Sequence, residues 1–293
     1  MRPRTTRRAL LPVLLLTGVL ASSGSAGTGA VPRLIFPVVG AVSYTDDFGD
    51  ARGSGRHEGN DLLAAKRSPA VAVEDGTVSF YTKSARAGCM LYLRGVSGTT
   101  YLYIHLNNDL TAKNDNRGKC VSGTAYAKGL KTGAKVAAGA PIAFVGNSGD
   151  ADSTAPHLHF EVHPRDGAAV DPYPYLRKAR KLLFSAPFGT FATLKLRGTV
   201  VGLPKAGTFR MRVETLRRWP GGLALKPGRT VDLSLPSIAI VDDPTGTMLA
   251  PADLAAAVRG TPVTVTTDVA PVTLKAALGA PLALTARSVA LQP

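Results

Sequence analysis

Short runs of alternating apolar and polar residues, each cut off by glycine, restrict this chain to β-structure more firmly than any other feature of its sequence. Between residues 34 and 171 such runs occur at 70–73, 76–80, 90–94, 101–106, 141–145 and 157–162, and almost no stretch there is long enough for a helix. The expectation is an all-β fold: a compact domain of antiparallel sheets over residues 35–176. Residues 171–181 carry two prolines followed by a basic cluster, which marks a boundary, with 177–184 as a basic linker. Alternation resumes at 193–201, 208–214, 230–235, 237–241, 261–267 and 282–291, most plainly in Phe209, Met211 and Val213 against Arg210, Arg212 and Glu214. Residues 252–258 are the one expected short helix. Residues 185–293 therefore read as a second, smaller all-β domain, a barrel or a sandwich, with an oligosaccharide/oligonucleotide-binding barrel among the candidates.

At 293 residues the chain suits two domains better than one. Residues 1–26 hold Arg2, Arg4, Arg7 and Arg8, no acid, an apolar run at 9–21 and small residues up to Ala26, the pattern of a signal peptide, with 27–34 as a short linker. Thr6-Arg7-Arg8-Ala9-Leu10-Leu11 also fits a twin-arginine signal, so either export route is open. No cysteine follows the apolar run and no later stretch is long and apolar enough to span a bilayer. The expected product is a monomer, secreted or held in the cell envelope.

Without the four signal arginines, 31 basic and 20 acidic residues remain, a net charge of +11, of which residues 181–293 carry +7. Outside a cell that balance points to anionic surface polymers before nucleic acid, since long-range attraction needs only opposite charge and proximity. A basic surface with no specific partner is the plain alternative. Cys89 and Cys120 are the only cysteines. They are too few for a thiolate metal site and are expected to pair in an oxidising compartment, enclosing His105 in the loop.

All five histidines fall between residues 57 and 163. In an extended strand His157, His159, Glu161 and His163 share one face and Leu158, Phe160 and Val162 the other. Four ionisable groups on one face are costly unless a metal or a charge partner offsets their desolvation. By the same parity His105 shares a face with Tyr101 and Tyr103. His57-Glu58-Gly59-Asn60-Asp61 places an imidazole and a carboxylate around a turn, the ligand types zinc takes when no thiolate is present. Taken alone that spacing is a weak signal.

In order along the chain, Phe48-Gly49-Asp50-Ala51-Arg52, His57-Glu58-Gly59-Asn60-Asp61-Leu62, Glu74-Asp75-Gly76-Thr77-Val78, Tyr103-Ile104-His105-Leu106, Val136-Ala137-Ala138-Gly139 with Gly146-Asn147-Ser148-Gly149, and His157-Leu158-His159-Phe160-Glu161-Val162 resemble the blocks of lysostaphin-type zinc endopeptidases. The resemblance covers about 130 residues and stops before the C-terminal part. It implies one zinc ion held by His57, Asp61 and His159, with His105 and His157 at the catalytic positions, and peptidoglycan as the substrate. Glu161 is a structural hydrogen-bonding candidate beside the ligands, and His163 reads as a solvated end of strand. Asp75-Gly76 and Asn147-Ser148-Gly149 are most simply turns. No asparagine lies between Ala26 and Phe48 to act as a latency ligand, so the site is expected to be open unless the C-terminal domain covers it. A wall-binding module without chemistry, and a peptidase acting on a glycine-rich protein outside the wall, are the competing readings.

Overall fold

The computed structural model describes residues 30–53, 55–111, 113–251, 254 and 259–293. The signal peptide expected over residues 1–26 lies outside the described residues. So does most of the helix expected at 252–258, of which only Leu254 is described, as a buried residue.

Five strands build the first sheet: β1 (Asn60–Ala64), β2 (Gly76–Tyr81), β3 (Cys89–Gly95), β4 (Thr99–Leu106) and β5 (His157–Pro164). They pair antiparallel in the order β1–β5–β4–β3–β2, and two-residue strands at Val42–Ser43 and Lys135–Val136 extend the edges to seven. Period-two alternation sets the faces: Leu158, Phe160 and Val162 of β5 are fully buried on one side, and the histidines and Glu161 occupy the other. A two-stranded sheet of Pro69–Val71 and Pro141–Phe144 contributes Ala70, Ile142 and Ala143 to the same core.

Three tyrosines are buried in this core because each hydroxyl finds a partner across it. Tyr103 donates to the Val71 carbonyl at 2.9 Å and accepts from the Val73 amide at 3.1 Å; Tyr126 donates to the Met90 carbonyl at 3.0 Å. Tyr101 donates to Glu74 Oε1 at 2.6 Å, and burial together with that carboxylate pushes its hydroxyl well above the ordinary phenol range.

The prolines at 172 and 174 do not simply break the chain. They open α1 (Tyr173–Lys178), since proline is tolerated in a first helical turn, and Arg177 and Lys178 complement the other end. The stretch expected as a basic linker is half interior: Leu182, Leu183 and Phe184 are buried, together with Ile35, Val39 and Val71, in the second apolar core.

That second core fills a sheet of β6 (Phe191–Gly202), β7 (Thr208–Trp219), β8 (Arg229–Ser234), β9 (Pro262–Thr267) and β10 (Ala286–Leu291) in the order β8–β7–β6–β9–β10, continued by Ile240–Asp242 and Met248–Leu249. The Ser234 amide donates to the Leu284 carbonyl at 2.8 Å and Ser234 bridges Thr285, so the β8 edge returns to the residues just ahead of β10 and the sheet curls into a barrel. A one-turn helix, α2 (Leu274–Ala277), is capped by Thr273, whose hydroxyl accepts from the Ala276 amide at 3.1 Å. Nothing in the hydrophobic period announces so short a helix.

Cys89 and Cys120 are bonded, 31 residues apart in sequence. The bridge ties the long loop between β4 and the Lys135–Val136 strand to the start of β3, where Cys89 lies opposite Leu106. On chain-entropy grounds a loop of that length adds about 3–4 kcal/mol. Replacing both cysteines with serine is expected to lower unfolding free energy by about that amount in urea titration, with a larger m-value because the unlinked denatured chain exposes more surface.

Candidate metal centre

Antiparallel register brings the sequence-predicted ligands together. His159 lies directly opposite Asp61 across β5 and β1, and His57 enters from the bend just before β1. Gly59 makes the approach possible: a Cβ there would sit 2.6 Å from the Phe160 carbonyl oxygen and 2.8 Å from His159 Nε2. His57 Nε2, Asp61 Oδ1 and His159 Nδ1 form a triangle with sides of 2.9, 3.0 and 3.1 Å. Ligands about 2.0–2.1 Å from a tetrahedral zinc are about 3.3 Å apart, so this donor set fits that ion after small outward shifts.

Second contacts orient each ring. His57 Nδ1 faces the Asp47 carbonyl at 2.8 Å and His159 Nε2 faces Glu161 Oε1 at 2.9 Å. Both partners only accept, so the facing nitrogens carry hydrogen and the opposite nitrogens converge on the site. Glu161 Oε2 is held in turn by His163 Nε2 at 2.6 Å, whose other nitrogen meets the Gly167 carbonyl at 2.9 Å. His163 is therefore not a free strand end; it anchors the carboxylate that anchors His159. Arg52 donates to Asp61 Oδ2 at 2.9 Å, leaving Oδ1 to the site.

His105 reaches the cleft by a route that parity does not give. Tyr101 and Tyr103 point into the core, yet His105 does not join them, because the register between β3 and β4 shifts by one residue between Cys89 and Leu91 and His105 takes a positive φ of 59°. This bulge re-aims the imidazole onto the face of His157, with ring centroids 5.0 Å apart. Ser148 is more than a turn residue here. Its hydroxyl donates to the Leu106 carbonyl at 2.6 Å and accepts from the Cys89 amide at 2.9 Å, while its carbonyl accepts from His105 Nδ1 at 2.9 Å. His157 Nδ1 likewise faces the Ala155 carbonyl at 2.9 Å. Both rings consequently turn Nε2 inward.

Charge follows this geometry. Burial, with His157 adjacent, pushes His105 down to about 4, so it is neutral in the neutral range. Burial opposes charge on His159 too, but hydrogen bonds to Asp61 and Glu161 outweigh it and raise the ring to about 9. Burial would raise both carboxylates; instead His159 and His57 hold Asp61 well below the usual range, and His159 and His163 bring Glu161 down to about 2. With no metal, one proton on His159 Nδ1 lies between Asp61 Oδ1 and His57 Nε2, where a cation belongs. The surrounding cleft has a volume of about 950 Å³, and all its lining residues fall between Arg52 and Glu161. None comes from the barrel.

Residues 113–172 match Peptidase family M23. An L-Ala--D-Glu endopeptidase of Bacillus subtilis (strain 168) is 32% identical over 152 residues, 48% of this chain and 41% of that protein. The DD-carboxypeptidase/endopeptidase Mpg of Neisseria meningitidis serogroup B is 30% identical over 136 residues, 44% of this chain and 26% of that protein. The chain thus spans less than half the length of either relative. Among solved structures, the catalytic domain of the antimicrobial peptidase lysostaphin from Staphylococcus simulans matches with 25% identity and a TM-score of 0.36, over 46% of this chain and 92% of that one.

The metal-free centre should register its proton in stability. A ring raised above its unfolded value stabilises the fold fully below about pH 6.5, and the contribution is lost as pH climbs through about 9. Differential scanning calorimetry of chelator-treated protein is expected to show Tm falling between about pH 6.5 and 9.5, and Glu161→Gln should flatten that slope.

Proposed function

We propose, from the peptidase family M23 domain that this chain carries, that it is an exported zinc-dependent endopeptidase cutting peptide bonds in peptidoglycan cross-links or stem peptides. The observation that supports this most is the convergence of His57 Nε2, Asp61 Oδ1 and His159 Nδ1 beside the inward-facing Nε2 atoms of His105 and His157. The donors are two imidazoles and one carboxylate, leaving the fourth position of a tetrahedral ion for water or substrate. Zinc bound there would supply a Lewis acid that brings the pKa of water from 15.7 towards about 7 and polarises a carbonyl.

The remaining steps belong to the chain. His105, neutral at working pH and locked by Ser148, accepts a proton at Nε2 as water attacks the scissile carbonyl. The proton taken by His105 passes to the departing amine as the C–N bond breaks, while His157, fixed by the Ala155 carbonyl and 3.7 Å from Asp61 Oδ1 at its own Nε2, lines the other side of the cleft and orients the attacking water. Glu161 takes no proton from water, because both its oxygens are occupied by His159 and His163. Its work is to keep the His159 lone pair aimed, as carboxylates behind metal-bound histidines do. No helix among the described residues is long and apolar enough to cross a membrane. The cystine agrees with an oxidising location.

Purified sacculi incubated with the zinc-loaded protein at about pH 7–8 should release new amino termini. His159→Ala should lose the bound zinc in elemental analysis and lower that release by at least about 10³-fold. Wild-type protein that holds one zinc and releases nothing, or a variant that keeps the full biological effect, would favour a binder that does no chemistry.

A further inference from the structure

The outer face of the barrel carries a second feature that the metal centre does not use. Lys195 and Arg197 of β6 and Arg212 and Arg217 of β7 all point to solvent, and Lys195 lies directly opposite Arg217 across the two strands. Like charges in opposed positions destabilise a sheet. Among the described residues none of the four forms an ion pair or a hydrogen bond, whereas the neighbouring Arg210 is tied to Asp232 by two contacts of 2.6 and 2.8 Å. Glu214, at the bulge between the strands, is the one acidic side chain among them. Threonine hydroxyls continue the same rows: Thr266 pairs with Lys195 and Thr264 with Arg197 on β9.

We propose that this face binds a phosphodiester-linked polymer of the cell wall, holding the chain on its target while the cleft stays free. Lys195, Arg197 and Arg217 lie about 5–7 Å apart across the two strands, and Arg212, opposite Thr199, extends the row diagonally beyond Arg197, a spacing suited to a backbone that bears one charge per repeat. The face is rich in donors, and a phosphodiester backbone offers almost only acceptors. Single-stranded nucleic acid would also supply phosphates, but its binding sites intersperse aromatics along the groove to stack successive bases. Here Phe191 and Trp219, 65% and 71% exposed, sit at one end of the face and not between the cations. The cystine also argues for an oxidising compartment, away from the cell's nucleic acid. Placing that polymer in the cell wall rests on the proposed function; the charge argument rests on the barrel alone and stands whether or not the cleft hydrolyses anything.

The test uses the full chain with metal chelated, so that a failure of the hydrolase reading leaves it untouched. Binding to immobilised poly(glycerol phosphate), to hyaluronate and to oligo(dT) is measured over a salt series for three proteins. They are the wild type, the face variant Lys195→Gln/Arg197→Gln/Arg212→Gln/Arg217→Gln, and a control of equal charge, Lys113→Gln/Lys119→Gln/Lys131→Gln/Lys135→Gln, at exposed sites in the first half of the chain. All four face positions are solvent-facing, and circular dichroism confirms that each variant is folded. Wild type and control should bind poly(glycerol phosphate) alike, and the face variant should lose at least about tenfold, with the log–log salt slope reduced by roughly 3. The proposal fails if the face variant binds like wild type, if the control loses as much, or if wild type does not bind. Tighter binding to oligo(dT) would assign the face to nucleic acid instead, and equal binding to hyaluronate would remove the phosphodiester preference.

Discussion

The register between β5 and β1 is the constraint on which the convergence of His57, Asp61 and His159 depends. With His159 opposite Asp61, the pair faces the cleft and Phe160 fills the core behind it. A slip of one residue would turn His159 inward and bring Phe160 into the cleft, exchanging a ligand for an apolar ring along the whole strand. Burial of Leu158, Phe160 and Val162 on one side therefore does more than stabilise: it specifies which imidazoles meet. β4 on the other flank of β5 pairs Ile104 with His159, and His105, just past that pairing, is set against His157 by the bulge and by Ser148.

A ring of hydrogen bonds behind the ligands completes what register begins. Each histidine at the site gives one N–H to an oxygen that can only accept, from Asp47, Ser148, Ala155 or Glu161. These partners favour the tautomers that aim the opposite ring nitrogens into the site, although at His57 Nδ1 the Arg52 guanidinium, 3.1 Å away, competes with the Asp47 carbonyl. Since Ser148 also spans Cys89 and Leu106, the disulfide, the bulge in β4 and the His105 ring form one connected piece of structure.

Much of this was legible in the sequence, and the losses have physical causes. Period-two alternation located the long strands of both sheets and the polar face of β5, because a half-buried strand writes its burial directly into residue order. The cystine, expected from two lone cysteines, is present, and His57, Asp61 and His159, which only the resemblance of the ordered blocks singled out as a set, bring donor atoms within 4.8 Å of one another. His105 arrived in the right cleft for a reason that parity had wrong: a bulge inserts a residue without leaving a compositional mark. Leu182, Leu183 and Phe184 were hidden by the charges before them, and α1 by prolines that start a helix as well as stop one. The bond between His163 and Glu161 escaped because strand ends look alike whether they meet water or a carboxylate.

Gly59 supplies no ligand, proton or charge, yet the Phe160 carbonyl and the His159 ring leave room there for a hydrogen atom and nothing larger. Glu58, next to it, is exposed. A position with no side chain to inspect is thus as intolerant of substitution as the residues that face the site. Sequence drift there would break the convergence of His57, Asp61 and His159 while all three residues stayed unchanged, and a survey that scored those three alone would pass the damaged protein as intact.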